Sequence, residues 1–209
     1  MYVFLTLVIL LISMTSCSDN DYQPQDCDLI FRVAEMTDFS KAITDATAPH
    51  DDTKFDHVGM VIWEKGSPRI LEASSRTGVT LTSLEDFIKE SSAGYVVKRV
   101  TVEYLAKQVI EKAKSHIGEP YDWSYLPDNG KMYCSELVYE SFISAEGKRI
   151  FEAKPMNFRD ANGHMPQFWI DLFQKLGEEI PQGVIGTNPN DLSKATVLDE
   201  IYNSIKRNQ

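Results

Sequence analysis

In the stretch "KMYCSELVYESF" (131–142) a cysteine, Cys134, stands immediately before an apolar helical stripe of Leu137, Val138 and Phe142. A purely structural cysteine would suit a position inside that stripe. If the helix starts at Cys134, its thiol faces the free N–H groups of the first turn. The positive end of the helix dipole there favours the thiolate, and the same N–H groups suit the oxyanion of an attacked carbonyl. Such a nucleophile needs a base, and the base needs a group to orient it.

His57 is the candidate base. It opens "HVGMVIW" (57–63), a β-branched, apolar run that reads as a buried strand. A histidine packed at a strand end for structural reasons is the competing reading. The orienting group follows from register. "EKGSP" turns the chain and "RILEAS" (69–74) returns it, so the two runs form a hairpin. With the turn centred between Lys65 and Gly66, Glu72 lies opposite Gly59, on the face that His57 shares because side chains alternate. Glu72 and His57 are then diagonal cross-strand neighbours. Gly59, lacking a side chain, is expected to leave the space between them open. A slip of one residue would undo this pairing. Glu136 is the rival carboxylate. Two positions past Cys134 on a helix it points roughly 200° away, which suits a capping or supporting role, shared with Ser135.

The elements that must hold these residues are legible in outline. "CDLIFRV" (27–33) and "GYVVKRV" (94–100) read as further strands, and "FSKAITDAT" (39–47) as a short helix. "GVTLTSLEDFI" passes from strand to helix, with Ser83 as N-cap for Leu84–Lys89. The stretch 102–118 places Val102, Leu105, Ala106, Val109, Ile110, Ala113 and Ile117 at helical spacing, and Gly118 and Pro120 end it. "PQFWIDLFQKLG" (166–177) is a helix with Pro166 at its first turn, and "IPQGVIGTNPNDL" reads as irregular. No repeat or linker divides the chain, so one α+β domain is expected, with strands mostly early and helices mostly late.

The 209 residues suffice for one full core, and a net charge of −10 argues against a nucleic-acid partner. Residues 1–16 carry no charged side chain, and Val3–Ile12 is an apolar run of signal-peptide length. Thr15 and Ser16 before Cys17 resemble a bacterial lipobox. Residues 1–16 are therefore expected to be removed as a signal peptide, Cys17 to be acylated, and 17–26 to be a polar tether. That makes the protein an exported, membrane-anchored lipoprotein of the bacterial cell envelope. Cys27 and Cys134 are left as free thiols or as a disulfide pair; spacing does not decide. No C-x-x-C occurs and the four histidines are scattered, so neither a structural metal nor a cofactor is expected.

"HVGMV", "ILEASSRTGVTLTSLEDF", "GEPYDW" and "YCSELVYESF", in that order, resemble the YaeF/YiiX-like permuted papain-fold amidases of the wider NlpC-type cysteine peptidase superfamily. "FWIDLFQKLGEEIP" and "GTNPNDL" extend the resemblance, which covers about residues 27–200. In ordinary papain-like enzymes the cysteine precedes the histidine; here His57 precedes Cys134, as in the permuted branch. The resemblance implies an antiparallel sheet or half-barrel packed on the helix that carries the nucleophile. It also implies Cys134 as nucleophile, His57 as base and Glu72 as the residue orienting it. Cys27 stands where the family more often has glycine, and reads as packing. Tyr121, in "GEPYDW", and Ser135 are candidate substrate or oxyanion residues, with packing beside the Cys134 helix the alternative for Tyr121. The function implied is a thiol amidase or peptidase acting through an acyl-enzyme, on peptidoglycan peptides for example. A lipid acyl hydrolase or acyltransferase of the same fold, or a ligand-binding lipoprotein without catalysis, are the alternatives.

Overall fold

The computed structural model describes residues 22–35 and 37–207. Residues 1–16, the expected signal segment, and Cys17, the expected acylation site, lie outside the described residues. Within them, the organising element is a hairpin of β2 (Phe55–Glu64) and β3 (Ser67–Ser74). Its two-residue turn, Lys65-Gly66, has positive φ at both positions, 51° and 81°. These are the dihedral signs of a type I′ turn, whose twist matches that of the flanking strands. The turn fixes Glu64 opposite Ser67 and Met60 opposite Leu71, so Glu72 faces Gly59 as expected.

Around the hairpin, β1 (Leu29–Val33), β4 (Gly78–Ser83), β5 (Tyr95–Val100) and β8 (Leu198–Asn203) complete a six-stranded sheet in the order β4-β3-β2-β1-β5-β8. Its ladders are antiparallel throughout. Both faces are covered. On one, α4 (Cys134–Ser141) packs across β2 and β3, where Leu137, Val138 and Phe142 meet Phe31, Met60 and Leu71 in the main core. On the other, Phe87 of α2 (Leu84–Glu90) joins Ile30, Val61, Ile70 and Val97. Burial on both faces explains why β2 reads as a continuous apolar run rather than an alternating one. Ser83 caps α2 by accepting from the Asp86 amide at 3.0 Å. The helix α1 (Asp38–Thr47) starts from an N-cap at Thr37.

Four stretches differ from the sequence-based expectation. The helix expected over 102–118 is the shorter α3 (Ala106–Lys114). Val109 and Ala113 are buried in the core, but Val102, Leu105 and Ile117 are more than two-fifths exposed, so no core lies under either end to hold the longer stripe. The strand β8 was not foreseen; with Glu200 and Tyr202 it reads as polar because it forms the sheet's edge beside β5. The stretch expected to be irregular holds β7 (Ile185–Gly186), paired with β6 (Lys154–Pro155), and α6 (Pro189–Ser193) capped by Asn188. Finally, the tether expected to reach residue 26 is docked on the sheet from Tyr22 onward. The Tyr22 hydroxyl donates to Asp28 at 2.9 Å, the Asp28 carboxylate takes a two-point bond from Arg99, and the Trp63 indole donates to the Pro24 carbonyl at 3.1 Å. Cys27 and Cys134 are both free thiols, so no disulfide joins them.

α5 (Gln167–Leu176) ends at Gly177 in the left-handed conformation, and α7 (Ser204–Arg207) follows β8. The connection from α3 to α4 is fastened to the sheet at Gly78, the first residue of β4. There Val79 N–H donates to the Glu119 carbonyl at 2.9 Å and Gly118 N–H to the Val79 carbonyl at 3.0 Å. Gly78 has φ +74°, and a Cβ on it would lie 2.2 Å from the Glu119 oxygen. Only glycine lets the two backbones approach this closely. Gly78→Ala is therefore expected to lower stability by at least about 2 kcal/mol, read as a fall in the urea midpoint at unchanged slope.

Candidate active site

The helix α4 begins at Cys134 itself, with Tyr133 in extended conformation as its N-cap. The first bond inside the helix runs from Leu137 N–H to the Tyr133 carbonyl at 3.0 Å, so the amides of Cys134 and Ser135 precede the ladder. Glu136 turns back to accept from the Tyr133 amide at 3.4 Å, which is the capping role its spacing suggested. Burial pushes the Glu136 carboxyl up to about 8, against the pull of that amide, and nearby Asp122, Glu140 and Asp128 add to the rise. The C-terminal segment buttresses this helix start. Thr187 N–H donates to the Tyr133 hydroxyl at 3.1 Å, and the Thr187 hydroxyl to Ser135 Oγ at 3.0 Å. The Ser135 hydroxyl is thus tied to the protein, which leaves its backbone N–H as the group suited to an oxyanion.

His57 comes to the same place from β2. The register shifts between Arg32 and Val33: Arg32 pairs with His57, but Val33 pairs with Phe55. Asp56 is the extra residue of a β-bulge, a device that re-aims neighbouring side chains. Its carboxylate is held by Arg32 at 3.1 Å, by the Glu35 amide at 3.3 Å and by the Ser40 hydroxyl. Just before the bulge, the Asn190 side chain reads the backbone of Phe55 twice, accepting from its N–H and donating to its carbonyl, both at 2.8 Å. The strand therefore enters the site pinned from both sides.

The Glu72 carboxylate meets His57 Nε2 at 2.6 Å, in the diagonal relation that the hairpin register requires. Its other oxygen accepts from the Thr82 hydroxyl. Thr82 pairs with Ile70 and Glu72 with Thr80, so Thr82 stands to Glu72 as Glu72 stands to His57. The result is a relay laid obliquely across β2, β3 and β4. With Nε2 taken by Glu72, Nδ1 is the ring nitrogen left for the Cys134 thiol, with which His57 also interacts. Burial alone would lower the His57 pKa, but hydrogen bonding to Cys134 and Glu72, and the charges of both, push it up to about 9. Burial pulls the Glu72 pKa upward, but the His57 contact, the Thr82 hydroxyl and the Arg32 charge hold it below the ordinary carboxylate value. The space beside Gly59 is not open, as expected from the sequence, but filled. A Cβ there would lie 2.4 Å from Ile70 Cγ2 and 3.1 Å from Phe87 Cε2, and the Phe87 ring lies against His57 with centroids 5.7 Å apart. The glycine admits the ring that shields the imidazole from water.

Tyr121 reaches the site through a bridge to Met132 just ahead of the helix, and its ring packs edge-on against Trp123 at 4.9 Å. Burial holds its hydroxyl well above the ordinary phenol range, reinforced by Tyr125 and Cys134, so it is a proton donor at neutral pH. Two cavities meet at Tyr121 and Asp56. One, of about 370 Å³, is lined by His57 and Glu72 and by charges of both signs, Arg32, Arg76, Lys89, Glu35 and Glu90 among them. The other, of about 50 Å³, lies against Cys134 and Ser135 and is walled by Tyr125, Tyr133, Met156, Phe158 and Trp169.

Cys134, His57, Glu72, Tyr121 and Ser135 thus converge, while Cys27 is buried away from them, its thiol pushed up to about 12 by burial with nearby Asp26 adding. A thiol at a helix start, an imidazole held by a carboxylate and an antiparallel sheet beneath define a permuted papain-like cysteine hydrolase. Residues 23–202 match the family described as "Permuted papain-like amidase enzyme, YaeF/YiiX, C92 family", and the chain belongs to that family. Among curated proteins it is similar to the "Uncharacterized protein YiiX" of Escherichia coli K12, 32% identical over 185 residues, covering 86% of this chain and 87% of that one. Among solved structures it is similar to the "metalloprotein yiiX" of Escherichia coli O157:H7, with a TM-score of 0.71 and 28% identity, covering 88% of this chain and 99% of that one. In this chain, no group of three or more His, Cys, Asp or Glu side chains among the described residues is placed to hold a metal ion.

Sequence reasoning missed Thr82, Asp56 and Asn190. Thr82 was within reach of it, since extending the register by one strand places a hydroxyl beside Glu72. The bulge at Asp56 leaves no mark in residue types. Removing the charge on Glu72 should withdraw its support for the imidazolium. In Glu72→Gln the His57 titration, followed by NMR of the imidazole, is expected to move down from about 9; an unmoved midpoint would contradict the pairing. The sign for stability is set by the same shift. His57 titrates near 6.5 when unfolded, so its pairing stabilises the fold fully below that pH and is lost as pH rises through about 9.

Proposed function

We propose that the protein is a thiol amidase that cleaves peptide or amide bonds through an acyl-enzyme, with Cys134 as nucleophile, His57 as acid and base, and Glu72 as the residue positioning His57. The observation that carries this is the approach of His57 to Cys134 while Glu72 holds its far nitrogen at 2.6 Å. His57 is the proton acceptor for Cys134, and the imidazolium is the counter-charge of the thiolate. The sulfur attacks the carbonyl carbon, and the carbonyl electron pair moves to oxygen. The amides at the start of α4 face that oxygen, with the Tyr121 hydroxyl as a further donor. Collapse expels the amine, which takes the His57 proton, and leaves a thioester. Neutral His57 then removes a proton from water, the resulting hydroxide attacks the thioester, and the acid departs as Cys134 thiolate and imidazolium re-form.

The larger, charged cavity beside His57 favours an amide or peptide substrate over a long-chain lipid ester. The apolar run ahead of Cys17 supports export and lipid anchoring at that residue, and hence a place in the bacterial cell envelope with cell-wall peptides within reach. Among the described residues no helix is long and apolar enough to cross a membrane.

The test is the rate of Cys134 alkylation by iodoacetamide against pH. An ordinary thiol of pKa near 8.5 is only about 0.1% thiolate at pH 5.5. Rapid labelling at that pH, lost in His57→Ala, is the expected result. A plain titration near 8.5, indifferent to His57, would remove the thiolate mechanism and favour a binding protein. Glu72→Gln is expected to lower turnover about 10-fold or more.

A further inference from the structure

The two cavities divide the site by chemistry, and the division assigns the two halves of the substrate. In the acyl-transfer reading, on which this inference rests, the acyl carbon bonds to Cys134 Sγ and the leaving amine takes its proton from His57. The amine half therefore lies on the His57 side and the acyl half on the Cys134 side. The His57 side is the cavity of about 370 Å³ bordered by Arg32, Arg76, Lys89, Glu35 and Glu90. The Cys134 side is the pocket of about 50 Å³ walled by Tyr125, Met156, Phe158 and Trp169. At 10–15 Å³ for each water-sized group, that pocket has room for about four such groups.

Its walls do not yield easily. Phe158 meets Trp169 and Phe173 edge-on at 5.1 and 6.0 Å, and Trp169 meets Tyr125 edge-on at 5.6 Å. Met156 is wedged against Gly186, where a Cβ would lie 2.5 Å from its sulfur. Close-packed aromatic walls of this kind resist displacement by a longer chain.

We infer that the substrate is an amide of a short acyl group, of about four heavy atoms or fewer beyond the carbonyl, joined to a polar, charged amine. A fatty acyl chain exceeds this pocket, whereas the small side chain of a peptide residue fits it.

The experiment compares kcat/KM for p-nitrophenyl acetate, butyrate, octanoate and palmitate with the full-length protein, with Cys134 acylation followed by mass spectrometry. Acetate or butyrate is expected to be best, with octanoate and palmitate at least 10-fold slower. Met156→Ala should move the optimum toward octanoate. Ala46→Leu, which adds bulk at the pocket wall, should depress butyrate more than acetate; it provides a second reading should Met156→Ala fail to fold. Octanoate or palmitate turned over as fast as butyrate by the unaltered protein would overturn the short-acyl assignment while leaving the hydrolase reading intact. No acylation of Cys134 by any ester would overturn the hydrolase reading and this inference with it. For the amine half, N-acetyl amides of amino acids are expected to be cleaved faster than the N-acetyl amide of butylamine; the reverse order would overturn the polar-amine assignment.

Discussion

The contact between Glu72 and His57 Nε2, at 2.6 Å, is the interaction on which the arrangement of the site depends. With the hydrogen bond to Cys134, it raises the His57 pKa where burial alone would lower it, and it decides which ring nitrogen faces Cys134. The contact is a property of the sheet more than of the two side chains. The Lys65-Gly66 turn sets the register, the register sets the diagonal, and Thr82 continues the diagonal by one strand. A relay built on three hydrogen-bonded strands is stiffer than one built on loops, so little freedom remains to be lost when substrate arrives.

The nucleophile reaches the relay by a separate route. The loop that leads to α4 is fastened at Gly78, passes through the Tyr121–Met132 bridge, and turns into the helix at Tyr133. From the other side, Thr187 holds Tyr133 and Ser135. Each half of the site is thus anchored to the sheet independently, and α4 packs on the strands that carry the other half. Core packing of Leu137 and Val138 seats the helix that brings the thiol to the imidazole, and the hydrogen bond between Cys134 and His57 joins the two halves.

The parts of this design that obey a simple period were legible in the sequence. The hairpin, its register, the Glu72–His57 diagonal and the helix start at Cys134 all follow from turn chemistry and alternation. The parts that depend on what lies across the fold were not. Val102, Leu105 and Ile117 have helical spacing, yet only a neighbour on that side would have made them helical, and none is there. β8 carries too many polar residues to be seen as a strand, because an edge strand buries little. The bulge at Asp56 arises where β2 meets β1, and the Asn190 clasp on Phe55 joins positions 135 residues apart; no local pattern records either. At Gly59 the sequence marks the position but not the reason: its missing side chain makes room for Ile70 and Phe87, not for empty space.

The Asn190 clasp also has a consequence for the order in which the protein becomes competent. All the candidate catalytic groups lie within residues 57–134, so a ribosome has made them long before it reaches position 190. Yet the strand that carries His57 is held at its entry by an amide 135 residues further along the chain, together with the Thr187 prop under the Cys134 helix. A chain interrupted before that point would contain the whole reactive set and none of its late fastening. Residues 57–134 therefore supply the reactive groups, while the packing of a segment outside that span fastens them in place.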